Sequence, residues 1–241
     1  ELDVTDDLQR VAERRVARLK KKCIRGFILK KDSPSCGMSR VRVYRKGNPT
    51  KEGVGIFAAH LMEQMPNLPV EEEGRLNDAR LRENFLSRVF TYDRWLTFLE
   101  GGATTAGLIA YHAAHKYLVL SHNQVAARRL GQLVANHAKK PLDVILVEYE
   151  NLMMQTLRKP ARKSGNANTL QHILGFIKRD IHAIHIADIL KNIRSYQAGH
   201  IPLVTPLALL KHHLDVVQHP WMQKQMYLEP YPEKLMLRNY V

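Results

Sequence analysis

The pattern of apolar and polar residues predicts a mixed α/β start and a long helical remainder. Apolar residues at helical spacing predict an amphipathic helix over residues 5–22. The apolar run 23–29 predicts a buried strand, and the alternation over 41–44 predicts a second one. A helix over 53–65 and a short strand at 68–70 follow. Strands and helices that alternate in this way are typical of an α/β unit with a parallel sheet.

This α/β unit is small for its class. Two or three strands leave the edges of a parallel sheet unfilled, so we expect the opening, N-terminal half of the domain to be missing from this chain. Glu1 is not an initiator methionine, and we therefore expect the chain to be a fragment or a processed form. The predicted fold class is a partial α/β domain over residues 1–73, followed by an all-α helical domain over 74–241.

The helical part begins after a charged segment, Glu71 to Gly74, which predicts a hinge. Beyond it, Gly and Pro residues separate segments with helical apolar spacing, so we predict a helical bundle without internal repeats. The predicted helices cover residues 77–99, 104–120, 123–138, 142–158, 168–180, 185–198, 205–218 and 221–228.

The chain is strongly basic, with a formal net charge of +14 over 241 residues and a sequence isoelectric point near 9.9. Residues 1–73 contribute +4 of that charge and the remainder contributes +10, much of it in pairs such as Arg128-Arg129 and Arg162-Lys163. A field of this sign and size favours binding to a polyanion, because neutralised phosphates release counterions. The alternative is a basic protein whose charge serves only solubility.

Composition narrows the class of protein further. No apolar run approaches the roughly 18 residues of a membrane-spanning helix, and the sequence has no signal peptide, so we expect no membrane partner. The two cysteines, Cys23 and Cys36, exclude a disulfide framework and favour a reducing cytoplasm. They are also too few to hold a zinc or iron–sulfur site without ligands from outside this chain.

The loop from Lys30 to Gly37 gathers a thiol, two hydroxyls and two lysines directly after the first predicted strand. Turn amides and nearby lysines lower the pKa of a thiol, and the thiolate is the form that attacks or binds metal. Cys36, flanked by Ser33 and Ser35, is therefore a candidate for chemistry. The alternative is an ordinary Ser-Pro-Ser-Cys-Gly turn whose thiol is incidental. Cys23, at the start of the predicted strand, is interpreted as a buried core thiol.

The predicted helix over 104–120 places His112, His115 and Lys116 on one face and ends at Ser121-His122. Histidines three residues apart can chelate a metal, but no carboxylate is spaced with them as zinc and di-iron helix motifs require. Lys, His and Gln donors beside Tyr rings also suit phosphate and base recognition in RNA. The third interpretation is a set of partly buried, hydrogen-bonded core histidines. The pattern leaves these three interpretations open.

Several motifs resemble known families. The helix led by Asp3-Val4-Thr5, the strand after it, Ser33-Pro34-Ser35-Cys36-Gly37 and Gly53-Val54-Gly55 resemble the second half of the thiouracil desulfidase (TudS) family. The stretch from Asn84 to Val241 is similar to the YbgA-like domain that is often fused behind it. The motifs of this second resemblance are Tyr111-His112, His115-Lys116-Tyr117, Ser121-His122, Leu130-Gly131, Gln171-His172, Pro202-Leu203, Pro206-Leu207, Gln225, Tyr227 and Pro230-Tyr231-Pro232.

The fused arrangement resembles bacterial desulfidases that remove sulfur from thiouridine in tRNA. The resemblance implies an oxygen-sensitive 4Fe–4S cluster held by three cysteines, whose open iron binds the substrate sulfur while water attacks the adjacent ring carbon. Cys36 matches the third ligand, and Ser33 and Ser35 would donate to cluster sulfur or orient the water. The other two ligands and a catalytic acid belong to the N-terminal half of the family. We therefore expect this chain alone to hold no cluster and to be inactive.

The same resemblance, with the basic charge, implies that the helical domain binds tRNA. The residues expected to contact RNA are Lys30, Lys31, His112, His115, Lys116, His122, Arg128, Arg129, Arg162, Lys163, His172, Lys178 and Lys211. Two other functions stay open at this point. One is a desulfidase of free thiouracil or its nucleotides, and the other is a non-enzymatic module that binds nucleic acid.

Overall fold

A computed structural model describes residues 4–44 and 48–241 and divides the chain between Phe85 and Leu86 into two units. Asp3, which opens the first motif, lies outside the described residues. The first unit contains, in chain order, Thr5–Lys21 (α1), Phe27–Leu29 (β1), Val41–Val43 (β2), Thr50–Gly53 (β3), Ile56–Gln64 (α2) and Val70–Glu72 (β4).

The second unit is helical. Helix α3, Ala79–Glu100, crosses the division, and the helices that follow are Thr105–His122 (α4), Gln124–Ala135 (α5), Leu142–Leu157 (α6), Lys163–Ile177 (α7), Ala183–Ala198 (α8), Val204–Val217 (α9) and Pro220–Gln223 (α10). This order confirms the predicted fold class, a mixed α/β start followed by helices. Within the described part of the chain, no helix has the length and apolar character needed to cross a membrane.

The first unit holds two small sheets. Strand β1 pairs with β4 in parallel, so that Phe27 faces Val70 and Leu29 faces Glu72. Strands β2 and β3 form a separate antiparallel pair. Helices α1 and α2 pack against each other. The predicted parallel sheet is therefore present in β1 and β4, while the antiparallel pair was not expected because Thr50–Gly53 has no alternating apolar pattern.

The segment that follows α1 corrects one prediction. Cys23 is exposed, and its backbone turns out of α1 with a positive φ of 46° while its N–H donates to the Lys20 carbonyl at 3.2 Å. The strand begins only at Phe27. The interpretation of Cys23 as a buried core thiol was therefore wrong, because this residue ends a helix and does not start a strand.

The segment after α2 corrects a second prediction. Val70, Glu71 and Glu72 form β4, and the two carboxylate residues are only 5% and 4% exposed. The predicted charged hinge at this position was therefore wrong. The helix predicted over 53–65 begins at Ile56, because Gly53 still belongs to β3.

The core of the second unit is built around aromatic rings on α3, α4 and α6. Trp95 is fully buried, stacks on Tyr149 with 5.3 Å between ring centroids, and donates from Nε1 to Glu150 Oε2 at 2.9 Å. Helix α4 packs against α5, α6 and α7. A Cβ atom at Gly165 of α7 would lie 2.1 Å from the Ser121 carbonyl oxygen, so α4 and α7 approach each other to backbone contact.

The chain after α10 is held against α4 instead of continuing as a helix. Gln225 Nε2 donates to the Ala113 carbonyl at 3.0 Å, and Met226 N–H donates to the Ala114 carbonyl at 2.9 Å. These bonds explain why the helix predicted over 221–228 ends early, at Gln223. Gln225, one of the motif residues, therefore fastens the C-terminal segment to the bundle.

Candidate functional site

The Cys36 loop, Lys30 to Gly37, contains a tight turn built around one hydroxyl. Ser33 Oγ accepts hydrogen bonds from the backbone N–H groups of Ser35 at 3.3 Å and of Cys36 at 3.1 Å. Gly37 N–H donates to the Ser33 carbonyl at 2.8 Å and closes the turn. The Cys36 thiol is half-buried and donates to Ser35 Oγ at 3.7 Å. Ser33 therefore shapes the loop, and Ser35 is the hydroxyl beside the thiol.

The loop also caps α2, whose first N–H groups have no partner within the helix. The Pro34 carbonyl accepts from Ile56 N–H at 3.2 Å, and the Ser35 carbonyl accepts from Ala58 N–H at 3.2 Å. This approach requires glycine at position 55, because a Cβ atom there would lie 2.3 Å from the Ser35 carbonyl oxygen. The two sequence motifs of the first unit meet at this point.

Carboxylates of β4 and the residue after it hold both ends of the loop. Glu72 Oε1 accepts from Met38 N–H at 2.8 Å. Glu73 accepts from Lys31 N–H at 2.9 Å and from Lys30 Nζ at 3.0 Å, and this lysine bond lowers the pKa of the Glu73 carboxyl. The segment predicted as a hinge is thus a clamp on the Cys36 loop.

A pocket of about 410 Å³ opens beside the thiol, with walls from α1, β1, the Cys36 loop and α2. Its lining is largely apolar and includes Phe27, Ile28 and Phe57. The charged residues among the described side chains that line it are the cations Arg15 and Lys30. This positive charge favours an electron-rich or anionic ligand in the pocket.

Metal binding at this pocket would depend on one side chain. Among residues 4–44 and 48–241, no group of three or more His, Cys, Asp or Glu side chains is placed to hold a metal ion. Cys23 is exposed at the end of α1, and Cys36 is the thiol that lines the pocket. The described residues therefore offer one cysteine at the pocket, and by themselves they do not fit a cluster that needs three cysteine ligands.

Two histidines of α4 lie inside the second unit. His115 is 2% exposed, and its Nε2 accepts from Arg94 Nε at 3.2 Å, so Nδ1 carries the proton and donates to the Tyr111 carbonyl at 2.8 Å. Burial, aided by the Arg94 charge, lowers the pKa of His115 to about 3. His112 Nδ1 lies 3.2 Å from Tyr149 Oη, and burial lowers its pKa to about 4. Both match the interpretation as core histidines, and neither nitrogen of His115 is left for RNA.

Two further expected RNA contacts, His122 and Lys211, are half-buried. Both ring nitrogens of His122 are buried without a hydrogen-bond partner among the described residues, and burial lowers its pKa to about 4. The Lys211 ammonium forms ion pairs with Glu229 and, at 4.0 Å, with Glu233. Its charge is already paired with these carboxylates, and contact of Lys211 with phosphate stays a prediction.

Basic residues border a groove of about 680 Å³ between α5 and α6. Arg129, Lys139 and Lys140 line it, and Lys140 pairs with Glu148 at 2.5 Å. Amide side chains from the same two helices and the turn between them complete the lining, namely Gln132, Asn136, Asn151 and Gln155. Arg128 is exposed on α5 and is not among these lining residues. Of the cations and amide side chains that line the groove, Arg129 was predicted from the sequence as an RNA contact.

Four other expected contacts, Arg162, Lys163, His172 and Lys178, are exposed on α7 and at its two ends. They are accessible to a polyanion, and contact with RNA stays a prediction for them. Lys30 and Lys31 lie in the Cys36 loop, as described above.

Lys116 belongs to a cluster that the sequence did not reveal. Its Nζ lies 4.4 Å from the centroid of the Trp221 ring and 5.0 Å from that of Tyr117. The Phe176 ring lies 5.3 Å from Trp221, centroid to centroid. These rings come from α4, α7 and α10, so no local spacing in the sequence could have linked them.

Comparison with known proteins finds a separate family match in each of the two units. Residues 116–232 match the family described as a protein of unknown function, DUF1722. Over 165 residues the chain is 30% identical to the uncharacterized protein YbgA of Escherichia coli (strain K12), which covers 68% of this chain and 98% of that protein. The chain belongs to the YbgA family. The DUF1722 match, residues 116–232, lies within the helical unit that contains the α5–α6 groove and the aromatic cluster.

The first unit has a different relationship. Residues 1–73 match the family described as 2-thiouracil desulfurase, and this match contains the whole Cys36 loop and ends directly after β4. The chain is therefore a TudS-type region fused to a YbgA-like region, as its motifs indicated. The match supports an enzyme with a desulfidase-type function. No solved structure matches the chain.

Proposed function

We propose that this chain is part of an iron–sulfur-dependent desulfidase that converts thiouridine in tRNA to uridine. One observation carries the proposal. The Cys36 thiol opens into a largely apolar pocket within the region that matches the 2-thiouracil desulfurase family. Thiouridine carries a thiouracil ring as its base, so the same chemistry applies once that base is presented outside its stack.

The pocket suits a planar base. Its volume of about 410 Å³ lies within the roughly 300–1,000 Å³ of small-molecule sites. The rings of Phe27 and Phe57 lie 5.6 Å apart and offer apolar surface to the base. Lys30 and Ser35 supply donors for a carbonyl or for the attacking water. In the net reaction water supplies the oxygen of the new C=O bond and the sulfur leaves as sulfide, without oxidation or reduction of the ring.

The proposed cofactor needs more ligands than the described residues supply. A 4Fe–4S cluster would use Cys36 as one ligand and would polarise the thiocarbonyl bond of the substrate. The described residues do not complete a set of three thiolate ligands. We propose that the remaining ligands come from outside this chain, and that the chain alone does not turn over.

The helical unit would hold the RNA. Residues 74–241 carry a net charge of +10, and the α5–α6 groove is lined by Arg129 and Lys139, with Lys140 paired to Glu148. A groove lined by cations and amide donors suits a phosphate backbone. This part of the proposal makes tRNA, and not the free base, the preferred substrate.

The test compares substrates directly. Full-length protein is reconstituted with iron and sulfide and incubated with thiolated tRNA, and nucleosides are counted by mass spectrometry after digestion. We expect thiouridine to fall as uridine rises, and we expect no turnover by the 241-residue chain alone. Preserved thiouridine in the presence of an intact cluster would overturn the proposal.

A second candidate is a desulfidase of free thiouracil or its nucleotides. The description of the matching family, 2-thiouracil desulfurase, favours it. Parallel assays with free 2-thiouracil and with thiouridine monophosphate separate the two. Faster turnover of these small substrates than of tRNA would assign the enzyme to the second candidate.

A further inference from the structure

One surface of the helical unit carries a group of aromatic rings that lie outside its buried core. Phe176 of α7 and Trp221 of α10 lie 5.3 Å apart with their planes inclined by 45°. His219 lies 6.0 Å from Phe176, and Tyr117 of α4 lies 6.3 Å from Phe176 and 6.2 Å from Trp221. We call Phe176, Trp221 and His219 the aromatic platform.

Exposure separates the platform from the core. Phe176 is 41% exposed, and Trp221 and His219 are half-buried. Tyr117, which supports the rings from α4, is 5% exposed, and the other tryptophan, Trp95, is fully buried. The platform thus has a buried base and an accessible outer surface.

Charge defines what this surface can accept. Lys116 Nζ lies 4.4 Å from the Trp221 centroid, close enough for a cation–π contact. Partial burial lowers the pKa of Lys116. Helices α4, α7 and α10 contain no Asp or Glu, and α7 is followed by Lys178, Arg179 and Asp180. Exposed rings beside cations, on helices without carboxylates, suit a ligand in which flat aromatic bases are joined by negatively charged phosphates.

We propose that the aromatic platform stacks an unpaired base of RNA, with Lys116 beside the adjoining phosphate. Unpaired bases in RNA are held by aromatic side chains in this way, and the phosphates on either side are met by basic residues. The proposal rests on RNA being the partner of the helical unit, as proposed above, and it adds to Lys116 three rings that the sequence motifs do not include.

Tryptophan fluorescence gives a direct test, because the chain has only two tryptophans and one of them is fully buried. The 241-residue chain is titrated with a short oligouridylate and, in parallel, with an abasic oligonucleotide of equal length and charge. Binding is followed by anisotropy of a label on the oligonucleotide. We expect the oligouridylate to quench Trp221 emission and the abasic strand to bind without quenching. Trp221→Phe is expected to remove the quenching, which assigns the signal to that ring.

Affinity provides the second measurement. Phe176→Leu keeps apolar volume but removes the stacking ring, and we expect it to weaken oligouridylate binding by about tenfold, within the range measured for one stacked base. Tyr240→Leu is the matched control, since Tyr240 is 73% exposed in the same unit but lies outside the platform. It is expected to leave the affinity unchanged.

The outcomes distinguish the proposal of the aromatic platform from the proposal that the helical unit binds RNA. Tight binding of RNA with equal quenching by the abasic strand, or with equal losses in Phe176→Leu and Tyr240→Leu, would overturn the platform and leave RNA binding intact. Failure of the unaltered protein to bind either strand or tRNA would overturn RNA binding itself.

Discussion

At Gly55 a single hydrogen atom in place of a side chain allows the Cys36 loop to rest on α2. A Cβ atom there would lie 2.3 Å from the Ser35 carbonyl oxygen and 2.7 Å from Cys36 N, which are backbone atoms that no rotamer change can move. We expect Gly55→Ala to reduce the free energy of unfolding of the first unit by about 1–3 kcal/mol. We also expect it to change the alkylation rate of Cys36. Urea denaturation and thiol modification in a Cys23→Ser background measure these effects.

Gly74→Ala is the control within the same unit. A Cβ atom at Gly74 would meet Lys31 Cδ at 3.3 Å, the side chain of an exposed and flexible lysine. The cost is expected to stay within about 0.5 kcal/mol, as for ordinary surface changes. Equal losses in the two variants would show that the contact with Ser35 is not what requires glycine at 55.

The two cysteines allow a matched test of the ligand proposal. Cys36 lines the pocket, whereas Cys23 is exposed at the end of α1. In full-length protein reconstituted with iron and sulfide, Cys36→Ser is expected to abolish iron retention and cluster absorbance, and Cys23→Ser to preserve both. RNA affinity is expected to be the same in both variants. Full cluster absorbance in Cys36→Ser would mean that the ligand assignment is wrong.

At the level of elements, α4 is distinguished by three histidines that face inward. The pKa of His115 is lowered to about 3, and those of His112 and His122 to about 4, from an ordinary value of 6.5. The unfolded chain therefore takes up protons below about pH 6.5 that the folded chain takes up only near pH 3–4. Their contribution to stability is complete above about pH 6.5 and is lost as the pH falls through this window.

The lowered pKa of these histidines predicts a measurable dependence of the free energy of unfolding on pH. For the buried His115, the free energy of unfolding is expected to fall by about 1.4 kcal/mol per pH unit between about pH 6 and pH 4. His115→Gln removes the titrating group and should give a shallower slope in urea denaturation over this range. His172→Gln, at an exposed position of α7, should leave the slope of the unaltered protein. The same slope in both variants would contradict the assignment to His115.

The elements themselves show what the sequence could predict. Apolar spacing located α1 and most helices of the second unit to within a few residues, because those helices bury one face each. It missed β3, since Thr50–Gly53 is exposed on most of its length and carries no apolar alternation. It also misread Glu71 and Glu72 as solvated charges. Glu72 accepts from Met38, a partner distant in sequence that no local pattern reveals, whereas Glu71 pairs with Arg75 four residues on.

The candidate site was predictable to the same degree. The Cys36 loop was recognisable from its own residues, because a thiol between hydroxyls and lysines in a turn is a local signal. The α5–α6 groove and the aromatic platform were not, because their side chains come from different helices. The histidines of α4 were chosen for their chemistry, and their depth in the unit became visible only in the fold.

Over the whole molecule, the distribution of charge makes a prediction about RNA affinity. Arg129 lines the α5–α6 groove, while Lys211 is neutralised by Glu229 and Glu233. Arg129→Glu is expected to weaken tRNA binding and to reduce the slope of log affinity against log salt by about one unit, because one phosphate contact is lost. Filter binding over a series of salt concentrations measures both.

The comparison variant for this experiment is Lys211→Met, which removes a cation that is already paired. It is expected to change neither the affinity nor the salt slope. A slope that is flat in the unaltered protein would show that counterion release does not drive binding. Equal effects of the two variants would instead show that net charge, and not the groove, determines the affinity.

The attachment of the Cys36 loop to its surroundings has a thermodynamic consequence for the molecule. The loop caps α2 through the carbonyls of Pro34 and Ser35 and is clamped by Glu72 and Glu73, so it cannot loosen while the helix and β4 stay in place. A ligand that binds the loop in this geometry has no comparable site on the unfolded chain. By mass action its binding therefore raises the melting temperature of the first unit in proportion to RT ln(1 + [L]/Kd). Occupancy of the pocket can thus be measured by heating, even for a compound from which no sulfur is ever released.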